Sequence, residues 1–593
     1  MSATTLPRHD RSATEVGLNS RLAVWPLLLL SALYASGYWL PAALEWPIAA
    51  GFFTTVIGGG VFLLLFFGYW LSRRSISRRE RWLTFGALLL TLTVSVALSH
   101  PSMGVMMVVI YGLPVVCMAW GAALWLSNFL PAGRRMAVGI GVFVLLFGAL
   151  DLLRSDGIDG NQRPSLHFRW TPTNEDLYQA SRQGKASPTP DDKLAPLMAV
   201  AGDWTQFRGP NREGAVRGVK LDLDWTNHPP KLIWKQRIGP AWSSMIVVGD
   251  HLFTQEQRGD IEAVVCLNTA TGAELWSHED RARFFDGQAG AGPRATPTFQ
   301  DGKLYTLGAT GLLHCFEAAN GKLDWTADIS AESGAPQRMW GYASSPLVAA
   351  GIVIVHAGGK DDKGVLAYQA DSGKLVWSFA AGNMSYSSPQ LIEFDGQQQV
   401  LFFGDQGLNA VDPQTGTALW TYAAPGKSWR ATQPRRLGPM QVYFGSEDLG
   451  SVVLDLHHEQ GTWSATRSWS SKALRPAYND VVVHDGSIYG FDNDRLCCIR
   501  AADGKRQWKD GRFGHGQLLL LADQPALLVV SEQGELALIA CNPEQFQELG
   551  RLPAIEGKTW NHPTFAHGRL YVRNDSEIAC FEPKRLDEEM ASR

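Results

Sequence analysis

The sequence predicts an all-β, eight-bladed β-propeller preceded by an α-helical transmembrane bundle of about five helices. Three observations carry this reading. Apolar stretches of near-membrane length fill the first 153 residues, a Gly-x3-Trp unit recurs in register through the remainder, and a polar, proline-bearing segment separates the two.

The apolar stretches run over about 22–40, 47–71, 82–99, 104–127 and 136–153. A bilayer core of ~30 Å needs ~20 helical residues, so each is long enough or nearly so. The first is no cleavable signal, because it lacks a small-residue cleavage site and further spans follow it. Arg8, Arg11 and Arg21 precede the first span, and Arg73, Arg74, Arg78, Arg79 and Arg81 follow the second. Arg134 and Arg135 lie between the fourth and fifth, while the loops at 41–46 and 100–103 hold no Lys or Arg. Positive loops stay in the cytoplasm, so the N-terminus is expected inside and the C-terminal part outside, in the periplasm of a bacterial cell. The spans carry no buried ionisable pair, which favours an anchor over an ion route.

The expected domains are a cytoplasmic N-terminus (1–21), a transmembrane domain (22–153), a linker (154–200), the propeller (201–585) and a C-terminal tail (586–593). The linker holds Pro164, Pro172, Pro188, Pro190 and Pro196 among polar residues, a composition that cannot bury a core of its own. The net charge of −4 and the lack of a basic patch argue against nucleic acid as a partner. The inner membrane, and periplasmic or membrane proteins, are the expected partners.

The repeat is an apolar residue, four residues, Gly, three residues, Trp. Its five copies end on Gly272 and Trp276, Gly321 and Trp325, Gly373 and Trp377, Gly416 and Trp420, and Gly504 and Trp508. Alternating apolar residues before each Gly read as a strand, and the Asn/Asp, Thr/Ser and Gly cluster reads as a tight turn. Two more strands upstream make four per repeat, which is one propeller blade. Trp469 marks a degenerate blade, and about 514–551 fits a blade without Trp. Trp234 belongs to an outer strand with no blade of its own, and the C-terminal strands at 568–572 and 577–581 lack a Trp-bearing partner. The two chain ends therefore complete the eighth blade together, which removes free sheet edges.

Cys266, Cys315, Cys498 and Cys580 share one repeat position, filled elsewhere by Ala367 and Ala410, and read as small buried residues. Cys497 and Cys498 are neighbours within a strand and point to opposite faces, which disfavours a bond between them. His457-His458 reads as an exposed turn, and Asp492-Asn493-Asp494 as a strand-to-strand turn rather than a Ca²⁺ loop.

The unit Asp412-x-x-Thr415-Gly416-x-x-x-Trp420 resembles the pyrroloquinoline-quinone (PQQ) type propeller repeat. That family includes quinoprotein alcohol and glucose dehydrogenases and the propeller lipoprotein of the outer-membrane assembly complex. The opening Trp204-Thr-Gln-Phe207-Arg208-Gly209-Pro210-Asn211 looks like the family's leading segment, and the resemblance spans roughly 204–585. It implies two alternatives: a membrane-anchored binding or assembly scaffold, or a PQQ-dependent membrane dehydrogenase oxidising an alcohol or sugar and passing electrons to membrane quinone. The outward propeller behind five spans is similar to the layout of membrane glucose dehydrogenases.

In those enzymes PQQ sits with Ca²⁺ over the central channel, against residues from the inner strands. The inner strands here begin Trp242-Ser-Ser, Arg294-Ala-Thr-Pro, Tyr342-Ala-Ser-Ser-Pro, Tyr386-Ser-Ser-Pro, Arg430-Ala-Thr-Gln-Pro, Tyr478-Asn479-Asp480, His515 and Trp560-Asn561-His562-Pro. The resemblance makes Asp480 the candidate catalytic base or metal ligand and Asn479 its partner. Arg294 and Arg430 become anion or quinone contacts, and Trp242, Trp560 and His562 line the cofactor site. Ca²⁺ would need six to eight oxygens, and no Glu stands among these candidates. The same residues also suit turn caps along a wet channel.

Overall fold

The computed structural model describes residues 23–44, 46, 48–160, 164–184, 194–426 and 428–586. The segment 1–21 with Arg8, Arg11 and Arg21, the linker's Pro188 and Pro190, and the tail from 587 lie outside the described residues. The chain divides into two units, Met1–Ser155 with Leu166–Trp170, and Asp156–Ser165 with Thr171–Arg593.

The first unit holds α1 (Trp25–Ala43), α2 (Ile48–Ser72), α3 (Arg78–Leu98), α4 (Gly104–Leu126) and α5 (Ala132–Asp151). Four of these, α2 to α5, are long and apolar enough to cross a membrane among the described residues. The expectation of about five counts α1 too, a 19-residue helix in which the side chains at 41 and 42 lie outside those described. Two helices begin earlier than their apolar stretches suggest. Ser77 caps α3 by accepting the Glu80 N–H at 3.2 Å, and Pro131 precedes α5. Arg78, Arg79, Arg81, Arg134 and Arg135 are therefore helical rather than loop residues. The earlier starts bring Arg135 against Glu80 in a bidentate pair, Nε to Oε1 at 2.9 Å and Nη2 to Oε2 at 3.0 Å, both residues buried. This buried pair lies just before the apolar spans, within the first turn of each helix.

The second unit is an eight-bladed propeller. Blade 1 has strands Ile246–Val248, His251–Arg258, Ile261–Asn268 and Glu274–Asp280, joined in sequence order. Blades 2 to 6 repeat this plan, with inner strands Thr298–Gln300, Leu347–Ala349, Gln390–Phe394, Arg435–Gly438 and Val482–His484. The Trp-less blade 7 runs from Gln517 to Pro553 and gains Ala215–Val216 as a parallel fifth strand on its inner edge. In blade 8, Thr564–Ala566, Arg569–Arg573 and Glu577–Glu582 are completed by Lys231–Arg237, with Glu577 opposite Arg237 and Cys580 opposite Trp234. The closure predicted from the two chain ends is present.

The Gly-Trp repeat has one structural cause. The Trp of each blade lies on the turn Gly of the next and donates its indole N–H to the carbonyl three residues before that Gly. Trp234 reaches Thr269 (2.9 Å), Trp276 Ala318 (3.1 Å), Trp325 Ala370 (3.0 Å), Trp377 Pro413 (3.2 Å) and Trp469 Ala501 (3.0 Å). Trp469 of the degenerate blade thus behaves as a full member. Trp420 differs: blade 5 joins its last two strands by a tight Gln460-Gly461 turn with nothing within 4 Å of the Gly461 Cβ position, and Trp420 donates to Gln399 of its own blade at 2.7 Å. Trp508 reaches Asn542 of blade 7 at 2.7 Å.

All seven cysteines are free thiols. Cys497 and Cys498 face different core clusters from one strand, as the pleat requires. His457 and His458 lie in the strand Gly450–Glu459, not in a turn, because that strand and Thr462–Ser471 form an extended ten-residue pair; His458 stacks on Trp463 at 4.3 Å. The segment expected as a linker carries a hairpin, Leu153–Ile158 with Pro164–Phe168, and a helix, α6 (Asn174–Arg182). A Thr173–Asp176 capping box starts α6, and Tyr178 of α6 donates to Glu256 of blade 1 at 2.6 Å.

Candidate functional site

The inner strands of the blades converge on a central channel, and two segments of the propeller unit fill it. The first is Trp204–Val216. Trp204 bridges to Val247 of blade 1, and Thr205 accepts from Phe299 N–H of blade 2 at 2.8 Å. Arg212 donates to the Ser345 and Pro346 carbonyls of blade 3 at 3.2 and 2.9 Å. Gln390 of blade 4 and Arg435 of blade 5 donate to the Asn211 and Arg212 carbonyls at 3.2 and 2.9 Å. Arg208 and Arg212 both take positive φ, 62° and 55°, in the tight turns around Gly209-Pro210-Asn211.

Asp480 sits beside this segment, almost fully buried. Its Oδ1 accepts the Gln433 backbone N–H at 2.7 Å and lies 3.5 Å from Arg208 Nη1. His562 Nε2 is 3.8 Å from Oδ2, and the His562 ring meets Phe207 edge-on at 4.9 Å. Arg208 also donates to the Val481 carbonyl at 2.9 Å. Burial lowers the pKa of all three guanidiniums here, pushing Arg212 and Arg435 down to about 9. Burial and the nearby Arg208 hold His562 neutral well below its ordinary range. The neighbourhood of Asp480 is thus rich in cationic groups.

The second segment is Asp156–Gly160, at the end of the channel where the inner strands begin. Ile158 N–H donates to the Gln288 carbonyl at 2.8 Å, and Gly160 N–H to Glu532 Oε1 at 2.6 Å. Lys558 Nζ reaches the Ile158 carbonyl at 3.0 Å. Beneath lie stacked rings: Trp242 and Trp560 at 4.9 Å, Trp560 and Tyr478 at 5.3 Å, Tyr478 and His515 at 5.3 Å. Lys558 stands over Trp560 at 4.5 Å and Trp242 at 5.2 Å, a cation–π arrangement. Burial pushes the pKa of both Lys558 and His515 down.

The structure brings some predicted residues together and separates others. Asp480 meets His562, and Trp242 meets Trp560. Asn479 is spent on the Gly516 carbonyl at 2.5 Å. Arg294 pairs with Asp286 and lies over Phe284 at 4.5 Å, while Arg430 pairs with Asp448 at 2.5 Å and Ser446 at 2.7 Å. Each arginine fixes the loop before its own inner strand. Arg208, Arg212, Arg435, Glu532 and Lys558 were not anticipated. The alternation of Arg with the Gly209-Pro210 turn is the only sign of the first two in the sequence.

The donor set does not fit Ca²⁺ with PQQ. A Ca²⁺ ion takes six to eight oxygens, and Asp480 offers one carboxylate, 3.5 Å from the Arg208 guanidinium and near those of Arg212 and Arg435. The aromatic stack that could face a planar cofactor lies against Gly160 and the chain's own Asp156–Gly160 segment.

A different feature occupies the same face over blades 3 to 5. Trp340, Tyr386 and Trp429 form a three-ring cluster, with centroids 4.6 to 6.1 Å apart. Arg338 ties the Trp340 loop to the Ser385 carbonyl at 3.3 Å, and Tyr386 N–H donates to the Arg430 carbonyl at 2.7 Å. Met339 and Met384 are exposed on these loops, 46% and 40%.

Fold and site together define a closed propeller with a self-filled channel and an aromatic, methionine-bearing rim. Residues 260–510 match the family described as outer membrane protein assembly factor BamB. The assembly factor BamB of Yersinia pestis is 21% identical over 332 residues, covering 51% of this chain and 76% of that protein. The quinohemoprotein alcohol dehydrogenase ADH IIB of Pseudomonas putida is 25% identical over 237 residues, covering 30% of this chain and about a third (34%) of that enzyme. Among solved structures, BamB from Moraxella catarrhalis has 15% identity and a TM-score of 0.44, covering 60% of this chain and 99% of its own. Over residues 260–510 the propeller is similar to the PQQ-type repeat family.

Proposed function

We propose that this protein is a membrane-anchored scaffold whose propeller binds protein partners on the periplasmic side of the inner membrane. The observation that carries the reading is the state of the channel. The residues expected to serve a cofactor hold the protein's own backbone and charges, and the exposed binding chemistry lies on the rim. Aromatic residues, Met and Arg are enriched at protein interfaces, and Met side chains adapt to varied partners. Met339, Trp340, Met384 and Trp429 have that composition.

Anchoring is supported by the four apolar helices with α1, and by arginines clustered between α2 and α3 and at the start of α5. The loop 100–103 carries none. A reporter active only in the periplasm should work when fused after residue 593 and fail when inserted at 73–81. An inactive C-terminal fusion would reject the periplasmic scaffold.

The test of the rim is site-specific photo-crosslinking in intact cells. A crosslinker at Met339 or Met384 should give discrete protein adducts that weaken when Trp340 and Trp429 are both replaced by Ala. A crosslinker at exposed Leu375, on an outer strand, should not. Saturable PQQ binding with dye-linked alcohol or sugar oxidation would instead establish the dehydrogenase alternative.

A further inference from the structure

Blade 1 ends on the strand Glu274–Asp280, in which His278 and Asp280 are two residues apart and share one face. His314, in the third strand of blade 2 (Leu312–Glu317), faces them. His314 Nε2 lies 3.0 Å and His278 Nε2 3.5 Å from Asp280 Oδ2. All three ligand atoms fall within 4.8 Å of one another. Both Nε2 atoms are buried, and neither makes a hydrogen bond of normal geometry among the described residues. Buried polar atoms in native proteins are normally satisfied, and here both imidazole nitrogens converge on one carboxylate oxygen.

We propose that His278, Asp280 and His314 form a binding site for a divalent transition-metal ion of the Zn²⁺ type, clamping blade 1 to blade 2. Zn²⁺ binds imidazole nitrogen and carboxylate oxygen at ~2.0–2.2 Å in tetrahedral array, which sets ligand atoms roughly 3.3 Å apart. The two nitrogen-to-oxygen distances bracket that spacing. Imidazole with one carboxylate favours Zn²⁺, Cu²⁺ or Ni²⁺ over the oxygen-seeking Ca²⁺ and Mg²⁺. The outer shell is in place as well. His314 Nδ1 lies 2.8 Å from Thr326 Oγ1, directly across the strand pair, which directs Nε2 toward the site. His278 and Asp280 keep 24% and 27% side-chain exposure, so the ion has a way in and the fourth position is open to water. The site lies between blades and is distinct from the channel.

Equilibrium dialysis of the full chain against Zn²⁺, read by elemental analysis, tests this. One Zn²⁺ per chain is expected, retained in excess Mg²⁺ and Ca²⁺. His278→Ala and Asp280→Asn, both at half-buried positions, should each weaken binding by at least ~10-fold, and Thr326→Val by ~10-fold. His458→Ala, a histidine elsewhere on the propeller, should leave it unchanged. Co²⁺ in place of Zn²⁺ should give visible absorption bands of a four-coordinate site, absent in His278→Ala. Circular dichroism checks that each variant is folded. Absence of saturable binding, or equal binding by His278→Ala and Asp280→Asn, would overturn the proposal.

Discussion

Trp276 of blade 1 lies directly on Gly321 of blade 2: a Cβ at residue 321 would fall 2.5 Å from the indole Cε3. The same juxtaposition joins Trp325 to Gly373, Trp377 to Gly416 and Trp469 to Gly504, at 2.5 to 2.6 Å. Gly321 also takes φ +75°, where a side chain is strained. Gly321→Ala is therefore expected to lose roughly 2–4 kcal/mol, from left-handed strain and overpacking together. Gly396 has the same φ of +75° but nothing within 4 Å of its Cβ position, so Gly396→Ala should lose only roughly 1–2 kcal/mol. Urea midpoints of the two variants, measured side by side, separate the steric part from the backbone part.

Asp480→Asn should act on stability rather than on a reaction step. It leaves the buried Arg208 without its nearest carboxylate, and removing one member of a buried pair costs about 3–5 kcal/mol. Thermal unfolding should show a large drop. An Asn variant as stable as the parent would assign Asp480 a role other than holding Arg208.

Acid should destabilise the propeller through its buried histidines. Burial, with Arg338 nearby, holds His356 neutral until about pH 3, whereas an unfolded histidine protonates near 6.5. Between those values the unfolded chain binds the extra proton, so stability is full above about 6.5 and falls as pH is lowered. At pH 4.5 the loss from this residue is roughly 2–3 kcal/mol, at about 1.4 kcal/mol per pH unit. Denaturant midpoints at pH 7 and 4.5 should differ less in His356→Gln than in the parent.

Gly160→Ala should expel the segment that covers the aromatic stack. A Cβ there would fall 2.0 Å from the His515 ring, and His515 is fully buried. Limited proteolysis should cut within 156–165 faster in the variant. Unchanged cleavage would show that the segment is held by Ile158 and Lys558 alone.

The blades were legible because their defining contact is local in sequence on each side: a Gly three residues after its acceptor carbonyl, and a Trp four residues further on. Even the Trp-less blade near 514–551 could be placed, since alternation and spacing suffice for a buried strand. The channel was not legible in the same way. Arg208 meets Asp480, and Arg212 meets Ser345, across most of the propeller, and no periodicity encodes such pairs. The residues expected at the channel were correctly located near inner-strand starts, but the partners that occupy Asn479, Arg294 and Arg430 are loop carbonyls and acids without a motif. Helix starts were missed by a few residues because hydropathy sees the apolar run, whereas Ser77 and Glu80 begin the turn before it.

The strand Lys231–Arg237 leaves the ribosome before every four-stranded blade, yet its partner Glu577–Glu582 follows the other seven blades in the chain. Seven blades must be synthesised while this first strand waits with its hydrogen-bonding edge bare. Until that partner emerges the molecule is an open crescent, exposed to pairing with a neighbour's strand. The final dozen described residues thus act as a latch. A ribosome that stalls before them releases a chain with nearly every blade formed and no closed ring, and a protease that finds the bare edge can tell finished molecules from unfinished ones.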